Sequence, residues 1–204
     1  MKFWSYIFLS LCLTTVCAQQ PDPLLSDAVE AQKKWVDSLY QNMTLDEKVG
    51  QLYVPMVFSE QEDKHFEEIK SLIEKHHIGG LIFSLGSPDK QSKWLNEFQS
   101  VSKVPLLISM DAEWGVSMRL DSVVHFPWNM TLGAAKNEEV LRKIGQRMGE
   151  QERALGIHMS YAPVLDINTN PNNPIIGNRS FGESPMLVAR KGLAIMRGHH
   201  DAGR

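Results

Sequence analysis

The sequence predicts an α/β fold of the (β/α)8 barrel type, present as roughly its N-terminal half. Three observations carry that prediction. Short apolar runs alternate with segments of helical periodicity, and the runs are continuously apolar, as in parallel strands covered on both faces. No Gly-rich phosphate loop follows the first run, which tells against a doubly wound open sheet. Polar residues gather just past the third and fourth runs, as Asp111, Glu113, Asp166 and Asn168, where the C-terminal strand ends of a barrel build a site.

The elements follow in chain order. "SDAVEAQKKWVDSLYQNM" (26–43) has the apolar spacing of an amphipathic helix that Ser26 can cap. "TLDE" (44–47) is a capping box opening a short second helix. "QLYVPMVF" (51–58) reads as the first strand. "SEQEDKHFEEIKSLIEKHHIGG" (59–80) reads as a helix with a capping box from Ser59 to Glu62 and a Gly pair suited to a left-handed end. "GLIFSLG" (80–86) is the second strand, and 87–102 is a helix with Pro88 in its first turn. "VPLLISMD" (104–111) is the third strand. A loop of about 25 residues leads to the helix 137–156. "IHMSYAPVLDI" (157–167) is the fourth strand, 168–183 is an Asn-, Pro- and Gly-rich loop, and 184–203 is a helix weakened by Gly192 and Gly198.

The N-terminus has a different character. Lys2, an apolar stretch from Phe3 to about Leu13 and the A-x-A-like "VCA" before Gln19 lay out a secretory signal peptide at 1–18, so the protein is expected to be exported, to a periplasm or the outside. The stretch is short for a bilayer span, so no stable membrane span is expected after its removal. A lipid anchor on Cys17 is the alternative, set back by the bulky Val16. Cys12 and Cys17 are the two cysteines, both in this segment, so the exported chain has no disulfide, thiolate metal site or cysteine nucleophile. The remaining domain, 19–204, holds about 186 residues against about 250 for a full barrel, and is expected to be truncated at its C-terminal end.

A balance of 21 basic and 24 acidic residues gives a net charge of -3, without the basic excess of a nucleic-acid binder. His76–His77 and His199–His200 are adjacent pairs near helix ends. Adjacent helical residues face different ways, so they suggest helix-end solvation rather than a metal site. Asn42, Asn129 and Asn178 each begin an Asn-x-Ser/Thr sequon and are read as coincidental.

The chemistry concentrates in "ISMDAEWG" (108–115) and in 162–183. Paired carboxylates suggest sugar hydrolysis. Asp111 and Glu113, however, are i and i+2 on one strand end, on one face and roughly 6.5–7 Å apart. A retaining glycosidase needs carboxyls about 5–5.5 Å apart on opposite sides of the scissile bond. Holding sugar hydroxyls suits Asp111 better, since an ionised carboxylate accepts two of them. The alternative is that Asp111 caps the strand or pairs with Arg119, eight residues on. Arg119 and Arg179 are candidate fork-shaped donors, and Arg179 sits in a loop that Asn side chains can order.

These segments resemble the N-terminal (β/α)8 domain of glycoside hydrolase family 3. The likeness runs through "MTLDEKVGQL", "DAEWGVSMRL", "FPWNMTLGAA" and "RALGIHMSYAPVLDINTNPNNPIIGNRSFGE", in the family's order. "DAEWG" is closer to the Asp-Gln-Glu-Gly-Gly pattern of the β-N-acetylglucosaminidases than to the Asp-Ala-Val-His-Gly of the β-glucosidases. The resemblance implies that Asp111 binds sugar hydroxyls and that Arg119 and Arg179 complete an N-acetylglucosamine subsite. Glu113, Asp166 and Asn168 would support it. Trp114 replaces a Gly and could be a stacking wall for a sugar face; Val116 stands where an Arg is usual.

The family's nucleophile is an Asp on a later strand, and the acid/base His of this branch follows a Lys-His-Phe-Pro-Gly-His-Gly motif that is missing here, so no catalytic residue is expected in this chain. The implied protein is an exported retaining β-N-acetylhexosaminidase, acting on oligosaccharides or cell-wall glycans, of which these residues alone are inactive. It needs no metal or cofactor, and carbohydrate is its partner. A family 3 β-glucosidase and a non-catalytic sugar-binding barrel are the alternatives.

Overall fold

The computed structural model describes residues 28–203. The expected signal peptide at 1–18, Cys12, Cys17 and Ser26 therefore lie outside the described residues. The chain divides into two compact units at Asn42. Of the first, the described part is helix α1, Val29–Gln41, which begins after Ala28.

In the second unit four parallel strands lie in the order β1-β2-β3-β4: Met56–Val57, Gly80–Phe83, Leu107–Met110 and Met159–Ser160. The register runs Met56 to Ile82, Leu81 to Ile108 and Ser109 to Met159. Each strand pairs with its neighbour in sequence. A doubly wound sheet would reverse direction at a switch point, and this one does not, so the fold is of the barrel type.

Helices α2 (Leu45–Gly50), α3 (Asp63–His76), α4 (Pro88–Val101), α5 (Asn129–Gly133), α6 (Glu138–Ala154) and α7 (Pro185–Asp201) supply the cover. Leu81, Phe83, Ile108 and Met110 are fully buried, and Phe66, Trp94 and Phe98 of α3 and α4 pack ring to ring over them. Burying side chains of this size stabilises by roughly 1.5–3 kcal/mol each.

Two strands are shorter than the sequence predicts. Residues 51–53 wind on from α2, with Gln51, Leu52 and Tyr53 N–H groups bonded to Glu47, Val49 and Gly50 carbonyls, so β1 starts only at Met56. Of 157–167, only Met159 and Ser160 pair as strand. Pro163 follows a cis bond from Ala162 and offers the sheet no N–H.

The expected capping box at Ser59 is absent. Glu62 is the N-cap of α3, while buried Ser59 bonds the Leu85 carbonyl. His77, not the Gly pair, takes the left-handed turn after α3. Gly80 is required instead by close packing, because a Cβ there would strike the Leu107 carbonyl. The capping box of Thr44 and Glu47 forms, and Ser87 caps α4 ahead of Pro88.

The expected 25-residue loop holds a 3-10 turn at Val116–Met118 and the whole of α5. Gly198, expected to weaken α7, lets it approach α6 backbone to backbone, where a Cβ would meet the Arg142 carbonyl. His199 is buried 3.6 Å from Glu152 of α6, not solvated as a helix-end residue.

Candidate functional site

The strand β3 ends at Met110, and the chain then turns: the Gly115 N–H bonds the Ala112 carbonyl, and Gly115 takes φ 87°. Period-two strand geometry therefore stops before Asp111 and Glu113, and the two carboxylates go to different partners. Asp111 accepts the Arg119 Nη2 at 2.6 Å through Oδ2, while Arg119 Nε donates to its carbonyl at 2.9 Å. Glu113, only 4% exposed, takes Arg179 in a two-pronged pair, Nε to Oε2 at 2.8 Å and Nη2 to Oε1 at 2.6 Å.

This pairing corrects the expectation that both arginines offer their forks to a ligand. The Arg179 fork is closed on the Glu113 carboxylate, and the Arg119 fork on the carboxylate and backbone carbonyl of Asp111. Beyond those bonds, Asp111 keeps Oδ1, Arg119 keeps Nη1, and Arg179 keeps Nη1 apart from a 3.5 Å approach to the Ile175 carbonyl. The side chains of Asp111, Arg119 and Arg179 are 34%, 23% and 32% exposed, so all three are partly open to solvent. The bond from Glu113, helped by the charges of Asp111 and Asp166, raises the Arg179 pKa above its ordinary value and keeps it a fixed cation.

Glu113 has both oxygens on one guanidinium, so it is badly placed to donate a proton or attack a sugar carbon. Its own N–H points to Met118 Sδ at 3.4 Å. What it does in the structure is hold the Arg179 guanidinium.

The loop carrying Arg179 is stitched by Ser180, fully buried, whose Oγ donates between the carbonyls of Asp166 (2.6 Å) and Gly182 (2.9 Å) and accepts the Gly182 N–H. The Asp166 carboxylate is exposed, and this residue enters the cluster through its carbonyl and its charge. Asn168 bonds Gly182 through its N–H at 3.0 Å, and its Oδ1 is buried with no hydrogen-bond partner. Both serve the loop more than the open face.

Trp114 does not stand alone. Its ring lies 4.1 Å from that of Trp128, tilted by 41°, and Trp128 is 44% exposed. Trp128 was missed in the sequence, as was its neighbour Asn129, whose Nδ2 donates to the Arg179 carbonyl at 2.8 Å. The only signals available were the aromatic in "FPWNMT" and a sequon.

A cavity of about 780 Å³ lies at the other ends of the strands, lined by Leu45, Val49, Tyr53, Leu72 and Ile78 among others. Its walls are mainly apolar, and it lacks the arginine–carboxylate pairs; the barrel rule puts chemistry at the C-terminal ends. Among the described residues no three His, Cys, Asp or Glu side chains group as a metal site, and no helix is long and apolar enough to cross a membrane.

The family model of the glycosyl hydrolase family 3 N terminal domain matches residues 44–203. A β-N-acetylglucosaminidase/β-glucosidase of Cellulomonas fimi is 32% identical over 158 residues, covering 78% of this chain and 27% of that protein. β-Hexosaminidase A of Pseudoalteromonas piscicida is 32% identical over 149 residues, covering 67% of this chain and 25% of its own length. The solved structure of a family 3 β-N-acetylglucosaminidase from Paenibacillus sp. str. FPU-7 superposes with a TM-score of 0.70 at 42% identity, covering 79% of this chain and 32% of that one. The chain thus spans between a quarter and a third of the length of these relatives.

Proposed function

Since the chain belongs to glycosyl hydrolase family 3 through its N-terminal domain, we propose that it forms the sugar-binding part of an exported retaining exo-glycosidase that releases terminal β-N-acetylglucosamine from oligosaccharides or cell-wall glycans. The observation that carries this reading is the pair of arginine–carboxylate units at the C-terminal strand ends, with Asp111 Oδ1 and Arg119 Nη1 left open and Arg179 Nη1 engaged only by the Ile175 carbonyl at 3.5 Å.

A sugar hydroxyl donates to Asp111 Oδ1, and its oxygen accepts from one of the two guanidinium edges. Charged partners make such bonds worth about 1.5–3 kcal/mol each. Trp114 and Trp128 offer an apolar wall for the C–H face of a pyranose ring. Cleavage of the bond falls to a nucleophile and an acid/base outside the described residues, because Glu113 is committed to Arg179 and Asp111 to Arg119. Export rests on the pattern of residues 1–18.

A β-glucosidase is the second reading, favoured by the double name of the Cellulomonas fimi relative. Hydrolysis of chromogenic β-N-acetylglucosaminide and β-glucoside by the protein that carries this chain separates the two. The acetylglucosaminide is expected to turn over faster, and Asp111→Asn to lower its kcat/KM by about 10–100-fold. Faster β-glucoside turnover hands the case to the second reading, and an undiminished kcat/KM in Asp111→Asn removes Asp111 from the site.

A further inference from the structure

Arg179 is held at both ends, and the holder of its main chain lies fifty residues away in a helix that contributes nothing else to the polar cluster. Asn129 is the first residue of α5 and is 1% exposed. Its side-chain amide donates to the Arg179 carbonyl at 2.8 Å. Three residues on, Leu132 is buried against the core that contains Phe181, and Gly133 lies so close to the Phe181 carbonyl that a Cβ has no room. The short helix therefore abuts the 179–181 backbone at two points, one polar and one steric. Its five residues are too few to be stable alone, so its position and that of the loop are set by each other.

We propose that Asn129 is a positioning residue for Arg179, fixing the backbone from which the guanidinium reaches Glu113 and so holding in place the N–H groups that the Glu113 and Ile175 bonds leave uncovered. The proposal rests on the sugar-binding reading of the cluster. The logic is geometric. The Glu113 pair sets where the guanidinium ends, and the Asn129 bond sets where the side chain begins; with both fixed, the remaining N–H directions are determined. Loss of the amide leaves a part-buried carbonyl without its donor and lets the loop shift, and a displacement of about 1 Å at a binding group is enough to cost up to 100-fold in rate. The same geometry removes Asn129 as a glycan acceptor in the folded chain, since its Nδ2 is buried and engaged.

The test is Asn129→Leu, which keeps the branched shape and removes the donor, made in the protein that carries this chain. With β-N-acetylglucosaminide, KM is expected to rise about tenfold while kcat changes much less, the signature of lost uniform binding. In the wild type the Arg179 Nε–H is expected to give a slowly exchanging NMR signal locked by Glu113; in Asn129→Leu that signal is expected to broaden or exchange faster. If the variant is too unstable to assay, Asn129→Ser, smaller and polar, gives the same two readouts. Wild-type KM and an unchanged Arg179 signal in a folded variant overturn the proposal. A wild type with no turnover of any β-glycoside overturns the functional reading instead, and the Arg179 signal then decides the positioning role alone.

Discussion

At the N-terminal ends of the strands, Glu47 is a nearly buried carboxylate whose partners close around it: Oε2 takes the Thr44 N–H, Oε1 takes Lys103 Nζ, and His77 stands 3.8 Å away. At the C-terminal ends, Glu113 is as deeply buried and takes one arginine, and beside it Asp111 takes another. The first set ties α2 to the segment before β3, and both Glu47 oxygens are taken within it. The second leaves one Asp oxygen and the Arg119 Nη1 edge open, and the Arg179 Nη1 edge meets only the Ile175 carbonyl at 3.5 Å. Similar groups in similar burial thus close on one another below the sheet and leave polar atoms uncovered above it, where the proposed recognition site lies, in keeping with the division seen in barrels.

Below the sheet, packing is also backbone against backbone. A Cβ on Gly50 would run into the His76 carbonyl, and one on Gly79 into the Gln51 carbonyl. Gly50→Ala is expected to have the largest effect on stability, about 1–3 kcal/mol, the usual cost of overpacking a site that only main-chain movement can relieve. Urea unfolding measures it. Ligand affinity of the folded fraction is expected to stay as in the wild type. If Gly50→Ala instead weakens sugar binding without loss of stability, the division between the two ends fails.

The Glu47 network also fixes a pH response. The hydrogen bond from Lys103, followed by that from the Thr44 N–H, lowers the Glu47 pKa from 4.5 to about 2. A folded value below the unfolded one means the contribution is fully present above pH about 4.5 and fades as the pH falls toward 2. Glu47→Gln lacks that contribution. The wild type is therefore expected to be more stable than Glu47→Gln at pH 7 and to lose its advantage between pH 4.5 and about 2 in thermal unfolding. A gap that is constant with pH would detach Glu47 from the ionic network.

How far each end was legible in the sequence follows from the same contrast. The capping box at Thr44 and Glu47 spans four residues and could be read directly, as could the Asp111–Arg119 pair within one loop. β2 and β3 were legible because their apolar runs are bounded by Gly and polar residues. β1 was overestimated because "QLYV" is apolar enough for a strand, yet its N–H groups find carbonyls at the end of α2 first. The Glu113–Arg179 and Asn129–Arg179 bonds join residues 66 and 50 positions apart, and no local pattern announces such pairs. α5 escaped because five residues carry no helical period; tertiary contact with Phe181 makes it a helix. Reading Asn129 only as a sequon hid a buried donor.

The smallest expected effect on the fold belongs to the aromatic wall, and it sharpens the contrast most. Trp128 sits beside Asn129, and Trp114 beside Glu113, so the two indoles extend from the two residues that grip Arg179. Trp128 is nearly half exposed and outside the buried core. A residue kept there for stability would lose little on truncation, whereas one kept for a sugar face loses its stacking surface. Trp128→Ala is expected to change unfolding stability by about 1 kcal/mol or less. It is also expected to weaken N-acetylglucosamine oligosaccharide binding by roughly 2–10-fold, the worth of one stacked ring. Calorimetric titration of wild type and variant with the same oligosaccharide measures the second quantity, and thermal unfolding the first. Loss of stability with unchanged affinity would make the indole pair part of the scaffold, and the recognition surface would then shrink to Asp111 and the two arginines.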